Sequence, residues 1–112
     1  MLIATGSKNR KIQIDGLDEN DENVIYLRTI KESSTIKEKI KKSNKIVIVG
    51  GGFIGLEIAS SINQMNKKVI VLEKANQLIG RVIPKEISKL IQDLHEKNGN
   101  EINLNVNIKK IE

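Results

Sequence analysis

Between Lys45 and Ile62 the chain reads KIVIVGGGFIGLEIASSI, an apolar run that ends in three consecutive glycines with a fourth three residues on. Glycine inside regular structure costs roughly 0.5–1 kcal/mol relative to alanine, so this cluster narrows what the chain can become. Gly50, Gly52 and Gly55 have the spacing G-x-G-x-x-G. A bare match is weak. Here it follows an apolar, β-branched run at Lys45–Val49, opens a helical pattern over 54–65, and is followed by a second such run, Lys68–Leu72. That context makes it a dinucleotide-binding signature. Gly50 permits the tight turn out of the strand, Gly52 lets a pyrophosphate approach the backbone, and Gly55 lets the helix pack close to the strand. The phosphates then meet the free N–H groups and positive dipole end of the helix. Gly51 lies outside the pattern and is read as flexibility or as a second point of close approach. The competing reading is that the glycines only make a tight strand-to-helix turn.

The remaining pattern places this loop in an α/β fold. Helix 54–65 has Ile54, Ile58, Ile62 and Met65 on one face. Pro84 opens a further helix with Ile87, Leu90, Ile91 and Leu94 on its inner face, and Gly99 stands where a C-terminal cap belongs. A last strand alternates apolar residues with asparagine over 102–108. Strand, helix, strand, helix, strand implies parallel strands joined by crossover helices, one βαβαβ half of a Rossmann-type parallel sheet. Upstream, 2–5 and 24–28 read as extra N-terminal strands, 15–23 as a loop, and a helix capped by Ser33, Ser34 or Thr35 runs to about residue 42, with Thr35 and Glu38 at capping-box spacing. The expected division is 1–44, a strand fragment plus a linking strand and helix, and 45–112, the dinucleotide-binding unit.

Composition removes several functional classes. The chain has 112 residues and no cysteine, so it offers no disulfide framework, thiolate metal site or redox thiol pair. It contains no apolar stretch of about 18 residues, the length a membrane span requires, and no signal-type segment, so no membrane partner is expected and the cytoplasm is the expected location. The net charge is +5, but the lysines are scattered among acidic neighbours, and Tyr26 and Phe53 are the only aromatic residues. A stacking surface for nucleic acid needs more, and no nucleic-acid partner is expected. His95 is the single histidine, read as dipole-compensating or half-buried. No catalytic residue and no metal ligand set is assigned.

The glycine pattern predicts an acidic residue about 20 residues on, at the end of the second strand. Glu73 stands there, directly after VIVL. Its carboxylate would accept hydrogen bonds from a ribose 2′-OH and repel a 2′-phosphate, which favours NAD(H). The neighbouring cations Lys74 and Arg81 complicate that preference, and an ion pair with Lys74 is the structural alternative for Glu73. Glu57, beside the glycines, is read either as a helix-dipole partner or as part of the site. The candidate cofactor-binding residues are Gly50, Gly51, Gly52, Phe53, Ile54, Gly55, Glu57, Glu73, Lys74 and Arg81.

The strings GGGFIGLEIA, LRTI, GRVIPKEIS and LHEKNG resemble the FAD-dependent pyridine nucleotide (disulfide) oxidoreductases. They are most similar to the branch of ferredoxin and rubredoxin reductases, which also holds apoptosis-inducing factor and some NADH oxidases and nitrite reductases. Leu2-Ile3-Ala4-Thr5-Gly6 resembles the ATG motif that closes the first FAD-domain segment of that family. The resemblance implies an NAD(P)H-binding domain inserted in a discontinuous FAD domain. It implies Glu57 near the nicotinamide, Glu73 at the adenosine ribose, and hydride transfer from NADH to FAD with electrons passed to an acceptor such as ferredoxin or rubredoxin. The FAD-domain segments of a parent chain would be partners, and this chain by itself is expected to be incomplete and inactive. A stand-alone, non-catalytic dinucleotide-binding or sensing module is the alternative. Asn66 departs from the family, which usually carries glycine before the second strand.

Overall fold

A computed structural model describes residues 1–111; Glu112, the end of the predicted 45–112 unit, lies outside the described residues. The elements in chain order are α1 (Ile30–Lys42), β1 (Lys45–Val49), α2 (Phe53–Asn63), β2 (Lys68–Leu72), α3 (Lys85–Lys97) and β3 (Glu101–Asn103). The strands form one parallel sheet in the order β1-β2-β3. Lys45 lies opposite Lys68, Val49 opposite Leu72, and Ile70 opposite Glu101. This is the expected βαβαβ arrangement. Among the described residues no helix is long and apolar enough to cross a membrane. The chain separates into two compact units, residues 1–41 with the segment from Ile108, and residues 42–107.

In the first unit, the extra N-terminal strands expected at 2–5 and 24–28 do not form among the described residues. Leu2 and Ile3 are exposed, and Val24 donates its N–H to Asp21 O in a turn. Strand propensity measures how well a side chain suits a pleated, half-buried surface. Without a neighbouring ladder these segments gain no strand-type pairing. Among the described residues the pairing here is an isolated bridge between Asp15 and Lys110. The capping box also moves. Thr29 Oγ1 accepts the Glu32 N–H at 3.2 Å, and Glu32 Oε2 accepts the N–H groups of Arg28 and Thr29 at 2.6 and 2.7 Å. Those backbone donors, Thr29 before Arg28, hold the Glu32 carboxyl below its ordinary pKa. Thr35, the expected cap, is already inside α1, and its hydroxyl donates to Lys31 O.

In the second unit, β2 is the central strand. Val69 and Val71 are fully buried, each contributing about 2 kcal/mol. Leu56, Leu78 and Ile79 form a cluster with half-buried Ile83, Ile91, Ile102 and Leu104. The sequence-predicted helix faces are rotated. On α2 the buried residues are Leu56, Ala59 and Ile62, while Ile54 is exposed, as is Met65, which lies beyond the end of the helix. The cause is Gly55, where a Cβ would lie 2.2 Å from Gly50 O and 3.3 Å from Ile48 Cγ2. The face of closest approach therefore carries the smallest residues, Gly55 and Ala59, not the largest. On α3 the buried residue is Ser88, with Ile91 half-buried, while Ile87, Leu90 and Leu94 are exposed. Polar bonds hold the inner face of α3, and an apolar count does not see them.

Pro84 is the N-cap of α3 instead of its first helical residue. Gly99, at φ +94°, follows the last turn as expected. Asn66 has φ +58°, the left-handed conformation that asparagine tolerates better than other non-glycine residues. It replaces glycine at the helix-to-strand turn without losing that turn. β3 stops at Asn103, well short of the expected 102–108, because Asn105 turns left-handed at φ +56°.

The ends of α2 and α3 are tied by a directional amide chain. Asn63 Nδ2 donates to Asn98 O at 2.8 Å and to Asn100 Oδ1 at 3.0 Å, and Asn100 Nδ2 lies 2.9 Å from His95 Nδ1. A backbone carbonyl only accepts, so it orients Asn63, which orients Asn100, which makes His95 Nδ1 the acceptor of a neutral ring. Burial lowers the His95 pKa, in agreement with that tautomer. The adjoining cleft, about 150 Å³, is lined by these groups with Ser60, Gln64 and Leu94, and carries no other titratable side chain.

Two outcomes are expected. Gly55→Ala should cost about 1–3 kcal/mol, the scale of overpacking against fixed neighbours, read by urea denaturation; an unchanged midpoint would show that α2 is free to shift. The unfolded chain protonates His95 before the folded chain does, so the histidine contribution to stability is complete above the unfolded pKa of about 6.5. It is lost as the pH falls from there through the lowered folded value. Asn100→Asp, which places a carboxylate beside the ring, should reverse that dependence in denaturation curves collected between neutral and mildly acidic pH.

Candidate functional site

The four glycines after β1 answer to different demands. Gly50 has φ +111° and continues the ladder by donating its N–H to Leu72 O at 2.8 Å. Gly51 is buried, and a Cβ there would lie 2.5 Å from Leu78 Cδ2. Gly55 is required by the approach of α2 to Gly50. Gly52 is unlike the others. It is the N-cap of α2 in ordinary extended conformation, at φ −84° and ψ −175°, and a Cβ there would meet nothing within 4 Å. The fold would accept almost any residue at this position. Open space in front of the first turn of a helix, with no side-chain cap on it, is what an anion needs to reach the unpaired N–H groups.

Glu73 faces this loop from the end of β2. Its Oε2 accepts the Gly51 N–H at 2.6 Å and its Oε1 accepts the Ala75 N–H at 2.7 Å. Its own N–H donates to Asn103 O, and its carbonyl accepts the Val106 N–H. Among the described residues no ion pair joins it to Lys74. Each carboxylate oxygen retains a second lone pair for a hydroxyl donor.

Gly51, Gly52, Phe53, Glu73, Lys74 and Arg81 line one open cleft of about 520 Å³. Of the other predicted site residues, Gly50 and Gly55 shape its backbone from outside the lining, and Ile54 and Glu57 are exposed on α2. Glu57 lies in the second turn of α2, whose first turn carries no acid. The dipole effect fades beyond the first turn, so the helix end accounts poorly for this residue. The cleft also takes Asn76, Ile79, Gly80 and Val82 from the loop between β2 and α3. No periodicity marks that loop, and the left-handed φ of +51° at Ile79 is one that a β-branched residue gives no reason to expect. Among the described residues no group of His, Asp and Glu side chains is arranged to hold a metal ion. The cleft thus combines an uncapped helix N-terminus, two exposed cations and one carboxylate restrained by backbone donors. That suits a diphosphate joined to a group that donates hydroxyl hydrogen bonds.

Comparison with known proteins identifies the family of the chain. Residues 1–112 match the family described as pyridine nucleotide-disulphide oxidoreductase. The chain is 36% identical to terpredoxin reductase of Pseudomonas sp over 111 residues, 99% of this chain and 26% of that protein. It is 30% identical to rubredoxin-NAD(+) reductase of Pseudomonas putida over 99% of this chain and 28% of that protein. The crystal structure of the ferredoxin reductase for the CYP199A2 system of Rhodopseudomonas palustris superimposes with a TM-score of 0.90 at 33% identity, covering 97% of this chain and 26% of that one. The chain thus spans about a quarter of the length of these relatives.

Gly52→Val should leave the melting temperature nearly unchanged, since the added side chain meets no protein atom, and should abolish binding of NADH in calorimetry. Retained affinity would separate the open N-cap from ligand binding.

Proposed function

The chain belongs to the pyridine nucleotide-disulphide oxidoreductase family, and on that premise we propose that its parallel βαβαβ unit is the NAD(H)-binding part of a flavoprotein reductase. The observation that carries this reading is Gly52, a glycine for which the fold itself has no use. Its missing side chain makes sense as clearance for a pyrophosphate at the α2 N-terminus. The residues present fit that group. Gly51 and Gly52 would border the phosphates, Lys74 and Arg81 would balance their charge, and Glu73 would hold the adenosine ribose. Glu57, exposed on α2, would lie toward the nicotinamide end. When bound, NADH supplies a hydride, in this proposal to FAD. The names of the relatives, reductases of terpredoxin, rubredoxin and ferredoxin, support a small redox protein as the final electron acceptor.

Coenzyme preference follows from Glu73. Placing a 2′-phosphate against a carboxylate that already holds two backbone N–H groups adds repulsion and gains no new donor. NADH should therefore bind more tightly than NADPH. Glu73→Ala should narrow that difference by about 1–2 kcal/mol, the value of one charged hydrogen bond. Titration of both coenzymes against both proteins checks this. An unmodified chain that prefers NADPH would mean that Lys74 and Arg81 outweigh Glu73.

A further inference from the structure

We propose that Ser88, on α3 and outside the cleft, is a positioning residue for the dinucleotide site, acting by clamping the single peptide unit between Leu78 and Ile79. The inference rests on the reading that the cleft takes a dinucleotide. The Ser88 hydroxyl is buried, with the residue 2% exposed, and donates to Leu78 O at 2.8 Å. The N–H of the same peptide, on Ile79, donates to Gly51 O at 2.9 Å. One peptide plane is therefore held at both edges, by α3 on its carbonyl and by the glycine loop on its N–H.

That plane needs holding. Ile79 sits at φ +51°, in a region that crowds a β-branched side chain. Rotating the peptide about its own axis would relieve Ile79. It would also turn Leu78 O toward Gly51 O, setting two acceptors against each other and pushing the loops apart. The Ser88 hydroxyl opposes this rotation, because a rotated Leu78 carbonyl loses its donor inside the core. Leu78 itself is fully buried and anchors the loop by its side chain.

The held peptide fixes the start of the next turn. Ile79 O accepts the Val82 N–H at 3.0 Å, closing a turn with Gly80 and Arg81 at its tip. Gln77 Nε2 donates to Ile83 O at 3.2 Å across the base. Gly80, Arg81 and Val82 all line the cleft, together with Gly52 and Phe53. Ser88 thus fixes the wall that carries Arg81 relative to the glycine loop without touching the ligand.

The test is calorimetric titration of the full chain with ADP-ribose, alongside thermal melts. Ser88→Ala should weaken ADP-ribose binding about tenfold, the equivalent of one hydrogen bond, as well as lower the melting temperature. Ser88→Cys keeps the volume with a weaker donor; it should fold and show a smaller loss, so the proposal is testable even if the alanine variant does not fold. Wild-type affinity in the serine variants would make Ser88 a purely structural residue and overturn the proposal. Failure of the unmodified chain to bind ADP-ribose would instead defeat the dinucleotide reading, and this proposal with it.

Discussion

The close approach of α2 to the end of β1 at Gly55 is the constraint on which the rest of the second unit depends. A helix can descend until its backbone nearly touches the strand only where one residue lacks a Cβ, and at Gly55 any Cβ would lie 2.2 Å from Gly50 O. That contact sets the rotation of α2, and so decides that Leu56, Ala59 and Ile62 are buried. It also sets where the helix begins. With α2 seated on β1, its first turn opens at Gly52 onto the cleft. Packing and the proposed binding site share one cause here, since the glycine that lets the core close also aims the helix dipole.

The second feature is the restraint of Glu73 by backbone donors. Two backbone N–H groups hold its oxygens and two ladder bonds hold its main chain, drawn from the glycine loop, its own loop and the segment around β3. Ordering a long acidic side chain on binding costs conformational entropy. In the proposed site, a carboxylate already ordered by folding would avoid that cost, which is the general route by which preorganisation raises affinity. The same donors explain why Lys74, next in sequence, is not its ion-pair partner. Glu73 is directed toward Gly51 while Lys74 remains exposed on the rim.

Much of this was legible from residue type and spacing alone. The apolar runs at β1 and β2, the glycine pattern between them, Pro84, Gly99 and the acid after VIVL located the sheet, two of the helices and the corner where Gly52 and Glu73 meet. Such features are local. A strand followed by glycine at fixed intervals and then a helix leaves few alternatives, because backbone sterics and caps act within a few residues.

What the sequence did not display depended on which surface lay opposite. The buried faces of α2 and α3 were set by Gly55, Ser88 and the His95–Asn100–Asn63 chain, and a count of large apolar residues gives such positions no weight. Residues 24–28 have strand-like content but no strand beside them, and propensity alone supplies no hydrogen-bond partner. Ile79 takes a conformation that its own chemistry disfavours, because Gly51 and Ser88 hold the peptide before it. The sequence by itself determined the order of elements and the glycine turn between β1 and α2, both products of short-range sterics. Only the tertiary structure decided which helix faces turn inward and how the loop carrying Arg81 is held, because those depend on contacts between residues far apart in the chain.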